Sequence, residues 1–192
     1  MKIIQVQFKT PIMKFTSLIW ILFPFVFTAC TSIPQGVNAI QQFEKEKYLG
    51  KWYEVARLDN RFEKNLNQTT AEYSIRNDGK IKVVNSGYDT LKNEWTDIEG
   101  KAKFAKTENV GMLKVSFFGP FYAGYNILDI DPDYQYALVG GGTFKYLWIL
   151  SREPELPESI KKRFLQKAEN AGYNTSDLIW VEQKHLSKIN LP

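Results

Sequence analysis

Between Tyr48 and Arg152 the chain alternates apolar and polar residues with a period of two. Successive side chains on a strand point to opposite faces, so this pattern describes strands with one dry face and one wet one. Ala71, Tyr73 and Ile75 alternate with Thr70, Glu72, Ser74 and Arg76, and Ile98, Gly100, Ala102 and Phe104 with Asp97, Glu99, Lys101 and Lys103. Leu113, Val115 and Phe117 continue it against Lys114 and Ser116. Turn-forming residues break the pattern at short intervals. Asn77-Asp78-Gly79 is a tight hairpin turn in which Gly79 can take positive φ. These marks divide the region into eight strands, near 49–58, 68–76, 80–88, 94–105, 111–118, 123–131, 134–140 and 144–152. Eight antiparallel strands joined by hairpins can close into an up-and-down barrel, which leaves no open edge and an interior wide enough for one small ligand. A two-sheet sandwich is the other architecture that fits the alternation.

After Arg152 the period changes. Pro157 suits the first turn of a helix. Ile160, Phe164, Leu165 and Ala168 then fall on one face, away from Lys161, Lys162 and Lys167. Gly172 is placed to end this helix, and Leu178-Ile179-Trp180-Val181 reads as a short final strand. The expected fold is therefore all-β: an eight-stranded barrel with one helix on its wall and a last strand.

The front of the chain is an address. Residues 15–29, FTSLIWILFPFVFTA, are apolar and uncharged, with lysines before them. The run is shorter than the roughly 20 residues a membrane-spanning helix needs, and it has the layout of a secretory signal. Met13 is a second candidate start. The run ends in Phe27-Thr28-Ala29-Cys30, which resembles a bacterial lipobox, with Phe27 in place of the usual Leu. Cys30 is the only cysteine of the chain and stands at the one position lipid attachment requires. We divide the chain into a signal (1–29), a lipidated N-terminus and polar tether (30–42) and a barrel domain (43–192). Thr31 rather than Asp follows the cysteine, which by resemblance to enterobacterial sorting favours the outer membrane, facing the periplasm.

Composition narrows the function. The formal charge of +4 includes Lys2, Lys9 and Lys14 of the signal; without them the remainder carries +1. A nearly neutral domain has no general attraction for nucleic acid. A single histidine, His185, in a polar tail, and a cysteine committed to lipid leave no Cys/His pair or zinc set. Gly140-Gly141-Gly142 precedes a strand, not the helix that a phosphate loop needs, so no cofactor motif is present. Asp129, Asp131 and Asp133 alternate around Pro132 without the register of a calcium loop. Glu54 is the one acid that falls near an inward face, which keeps a lipid-modifying enzyme among the alternatives. A structural envelope lipoprotein with a protein partner is another. The chain is read as a monomer or a homodimer.

Four segments carry a family resemblance. Tyr48-Leu49-Gly50-Lys51-Trp52-Tyr53-Glu54-Val55-Ala56-Arg57 resembles the first lipocalin signature, G-x-W. Lys114-Val115-Ser116-Phe117-Phe118-Gly119-Pro120-Phe121-Tyr122, with Tyr125-Asn126, is similar to the bacterial branch of that family. Asp129 and Tyr134 fall where the second signature lies, and Tyr146 to Arg152 resembles the third. The resemblance extends to apolipoprotein D and the plant temperature-induced lipocalins. It implies that Trp52 closes the barrel floor with Arg152 across its ring, and that Gly50 lets the chain pass close to that ring. It implies, too, that a fatty acid or lysophospholipid is held in the interior and that the protein stores or carries it, serving envelope maintenance under stress. Phe104, Val115, Phe117, Tyr125, Tyr136 and Trp148 are expected to line the cavity, on strand faces inferred from the alternation. Cys30 is expected to join the protein to the membrane.

Overall fold

The computed structural model describes residues 32–183; the signal, Cys30 and His185 lie outside the described residues. Eight strands form the barrel: β1 (Gly50–Leu58), β2 (Leu66–Ile75), β3 (Ile81–Asp89), β4 (Glu94–Phe104), β5 (Met112–Ser116), β6 (Ala123–Ile130), β7 (Tyr136–Gly141) and β8 (Leu147–Ser151). Each is antiparallel to the next, and β1 pairs with both β8 and β2, so the sheet closes on itself. A short helix, α1 (Lys45–Tyr48), precedes β1; a longer one, α2 (Glu158–Asn170), follows β8 and leads to β9 (Leu178–Trp180). β9 joins β1 outside the ring of eight, pairing Ala56 to Leu58 with Leu178 to Trp180.

Local chemistry explains the joints. At the β2–β3 hairpin Gly79 has φ +76° and donates to Arg76 O, while Arg76 N donates to Lys80 O at 2.8 Å. Helix α2 ends as a Schellman motif: Gly172, at φ +97°, donates to Glu169 O, and Tyr173 N donates to Ala168 O. β4 passes so close to β5 that a Cβ on Gly100 would lie 2.7 Å from the Phe117 ring. A side chain there would push the two strands apart.

The barrel has two apolar layers. Inside lie Trp52, Tyr73, Val83, Ala102, Leu113, Val115, Ile127, Val139 and Leu150. Between the outer wall and α2 lie Val55, Leu138, Leu147, Ile149, Phe164 and Ala168. Phe164 is fully buried, and truncating a ring of this kind costs about 3–5 kcal/mol.

Three features differ from the sequence expectation. Tyr134 is not in β7 but in the preceding turn, at φ +55°. That turn is organised by Asp131, whose carboxylate accepts from Asp133 N, Gln135 N and Tyr136 N. β8 begins at Leu147 rather than 144, because Tyr146 N turns back to donate to Thr143 O. And the described part of the polar segment before residue 43 is packed on the barrel. Val37 and Ala39 are buried, and Ile40 exchanges backbone hydrogen bonds with Ile127 and Gly111 and packs against the interior cluster.

Candidate ligand site

At the end where β1 begins, the barrel is shut. Trp52 is fully buried, and its indole N–H donates to Tyr48 O at 2.8 Å. The Arg152 guanidinium lies 3.8 Å from the centre of the Trp52 ring, a contact of about 1–2 kcal/mol when partly desolvated. Its nitrogens donate to the carbonyls of Lys47, Leu49 and Lys51, each at 2.8 Å, and to Tyr134 O. The Arg152 side chain thus ties α1, β1 and the β6–β7 turn together. Gly50 stands here at φ +93°, and its nearest neighbour is Arg152 Nη1, 3.4 Å from where a Cβ would sit. Its role is this left-handed backbone turn over Arg152, not clearance for the indole as the sequence suggested. Tyr134 adds its hydroxyl, which accepts from Glu44 N.

Above the floor the wall is apolar: Phe104 packs against Phe43, and Val83, Ala102, Leu113 and Val115 are buried beside it. Midway up, three phenols meet. Tyr125 Oη is 2.6 Å from Tyr48 Oη and 2.7 Å from Tyr73 Oη. Burial raises all three above the ordinary tyrosine range, so at neutral pH they are uncharged groups able to donate or accept.

The mouth end is polar inside. Arg57 donates to Glu54 Oε1 at 2.7 Å and to the carbonyls of Glu63 and Leu66, each at 2.9 Å. Both Arg57 and Glu54 are buried. Glu63, on the β1–β2 connection, accepts from Trp148 Nε1 at 3.0 Å and from Asn60 Nδ2. Trp148 is stacked between Tyr125 and Tyr146. Burial, then the neighbouring Glu63 carboxylate, pushes the Glu54 carboxyl well above the usual carboxylate range, while Arg57 pulls it down. Arg57 pairs with the Glu54 carboxyl alone and meets Glu63 only at its backbone carbonyl, so the Glu63 carboxylate beside Glu54 is left without a cation of its own to offset its repulsion. Two further polar atoms on the inner face of the same half, Thr69 Oγ1 and Asn85 Oδ1, are buried without a hydrogen-bond partner.

Of the six residues expected to line the cavity, the structure brings five to the interior cluster: Val115 within it, and Phe104, Phe117, Tyr125 and Trp148 packed against it. Tyr136 is a correction. It packs with Leu138 and Phe164 in the layer under α2, while Ala137 and Val139 face inward. β7 is buried on both faces, so it lacks the polar alternation that would reveal which face is inner. Asp129, which falls where the second signature lies, is 3.6 Å from Arg163 of α2, and the turn after β6 is held by Asp131. Arg57, Asn60 and Glu63 were missed. The register of β1 against β8 shifts between Glu54 and Ala56, and this bulge returns Arg57 to the inner face that strict alternation denies it.

The interior therefore runs from a closed floor through an apolar depth to a polar mouth. The comparisons place the chain more closely. A model of the lipocalin-like domain matches residues 43–183, and the chain belongs to that family. It is 47% identical over 165 residues to the outer membrane lipoprotein Blc of Vibrio cholerae serotype O1, covering 85% of this chain and 96% of that one. It is 37% identical over 151 residues to temperature-induced lipocalin-1 of Arabidopsis thaliana, covering 74% and 80%. Among solved structures, insecticyanin from the tobacco hornworm Manduca sexta superposes with a TM-score of 0.65 at 21% identity. That match covers 80% of this chain and 87% of insecticyanin, and shows the shared fold.

Proposed function

We propose that this lipocalin is a lipoprotein of the bacterial outer membrane, anchored through Cys30, that holds a fatty acid or lysophospholipid with its tail towards Trp52 and its head at the mouth. The observation that carries this reading is the division of the interior. Each buried CH₂ contributes roughly 0.8 kcal/mol, which suits the depth lined by Phe104, Val83 and Leu113. The buried Thr69 Oγ1 and Asn85 Oδ1, without partners, mark where a head group or glycerol hydroxyl would be met. The anchor reading is supported by the lipobox-like Phe27-Thr28-Ala29-Cys30 and by the similarity to a relative named as an outer membrane lipoprotein. Storing or carrying lipids released from a damaged membrane is the role that such a placement serves.

The pair Glu54 and Glu63 is also what a lipid-modifying enzyme on this scaffold would need. Their carboxyls are engaged by Arg57, Asn60 and Trp148, which favours a fixed recognition site over a proton shuttle. Native mass spectrometry of the processed protein, mixed with lysophospholipids and fatty acids, tests the reading. A one-to-one adduct that Trp148→Ala abolishes is the expected result. No adduct with any of these lipids, from folded protein, would overturn it; appearance of altered lipid would favour the enzyme.

A further inference from the structure

The chain enters the fold at the mouth. Asn126 Nδ2 donates to Ser32 O at 2.8 Å. The same oxygen lies over Gly124, where a Cβ would come within 2.1 Å of it. Gly124 and Asn126 open β6, immediately after the mouth connection 117–122. From Ser32 the chain descends the wall past Val37 and Ala39, turns in at Ile40 and reaches Phe43, whose N–H donates to Asn109 O at the closed end. Cys30 is two residues before Ser32 in the sequence, and two residues of chain span at most about 7 Å, so a lipid on Cys30 has only a short link to the point where the chain meets Gly124.

The rim itself is apolar. Phe62 on the β1–β2 connection, Leu91 and Trp95 at the β3–β4 connection, and Phe118 and Phe121 on the β5–β6 connection are 59%, 72%, 61%, 66% and 77% exposed. Phe118 and Phe121 belong to the connection beside which Ser32 sits. At the closed end, Ile75 is the one large apolar side chain of comparable exposure among the described residues. Three separate connections thus place large apolar side chains in water around one opening, a concentration that marks a contact surface.

From these placements we propose that the mouth lies on the bilayer that holds the Cys30 lipid, with Phe118, Phe121 and their neighbours entering the head-group region. The inference rests on the anchor reading above. In this orientation the acyl tail of a ligand passes from bilayer to cup without exposure to water, and the floor faces away from the membrane.

The test uses the full processed protein in vesicles of phosphatidylethanolamine and phosphatidylglycerol, with its intact mass read first for the lipid on Cys30. Phe121→Cys and Ile75→Cys variants, each labelled with an environment-sensitive fluorophore, are quenched by lipids bearing a nitroxide on the acyl chain. Quenching at 121 at least about threefold above that at 75 is expected. Equal, weak quenching at both sites in protein whose Cys30 is acylated overturns the orientation while leaving the anchor intact. A mass without the lipid removes the anchor reading, and this proposal with it. Replacing Phe118 and Phe121 together by Ser should reduce quenching of a label at Leu91→Cys with acylation unchanged; no reduction would refute the part assigned to the aromatic rim.

Discussion

The two ends of the barrel are built on opposite terms. At the floor every strong group is used up inside the protein: the Arg152 guanidinium covers the Trp52 ring and serves the carbonyls of Lys47, Leu49 and Lys51. At the mouth, charge is buried and polar atoms are left over. Arg57 stands between Glu54 and the backbone of the β1–β2 connection, and Thr69 Oγ1 and Asn85 Oδ1 have no partner. Buried polar atoms without partners cost stability. Inside the barrel these atoms lie away from the floor, whose own polar groups are paired, which separates the part that holds the fold together from the part that meets a ligand.

That contrast can be broken by measurement. Trp52→Ala should have the largest effect, lowering unfolding free energy by about 3–5 kcal/mol in a urea titration. Arg152→Ala should follow, at about 2–3 kcal/mol, because it strands several carbonyls and uncovers the indole. Arg152→Lys should recover little of this, since one ammonium cannot span those acceptors. At the mouth, Trp148→Ala should cost only about 1–2 kcal/mol of stability, yet abolish the lipid adduct. If it destabilises as much as Trp52→Ala, the two ends are not distinct in kind. Tyr136→Ala should cost about 1 kcal/mol through the seam under α2 and leave the adduct intact; a lost adduct would return Tyr136 to the site.

Glu54→Gln should have the smallest effect in acid, within about 0.5 kcal/mol near pH 4.5. Burial raises the Glu54 carboxyl above its usual range in the folded protein, whereas in the unfolded chain it titrates near about pH 4.3. Stability therefore falls as pH rises from there through the raised folded value, and the Gln variant should lack that fall. Urea midpoints of both proteins across pH check it; parallel pH profiles would mean that Arg57 holds Glu54 ionised.

Much of the candidate site was legible because its strands have one wet face. Phe104, Val115 and Phe117 sit opposite lysines and a serine, and the structure turns them inward as the alternation requires. The same rule failed where a strand has no wet face. In β7 the run Tyr136 to Gly141 is packed by the interior on one side and by α2 on the other, so nothing local distinguishes Tyr136 from Ala137. It failed again in β1, where the bulge by Val55 resets the alternation and hides Arg57.

By itself, then, the sequence determined the number and order of strands, the wall helix with its Pro157 and Gly172 ends, and the floor pair Trp52 and Arg152. These follow from local periodicity, turn chemistry and family signatures. Only the tertiary structure decided how the polar mouth is assembled, that Tyr136 serves the helix, and that the chain before Phe43 climbs to the rim. Glu54, Arg57, Glu63 and Trp148 come from β1, its connection and β8, and their meeting depends on barrel closure and strand register. Ser32 reaches Gly124 only because β5 and β6 leave a wall along which residues 33–42 can pack. Periodicity reports a residue's neighbours on its own strand, and these contacts are made between strands far apart in the chain.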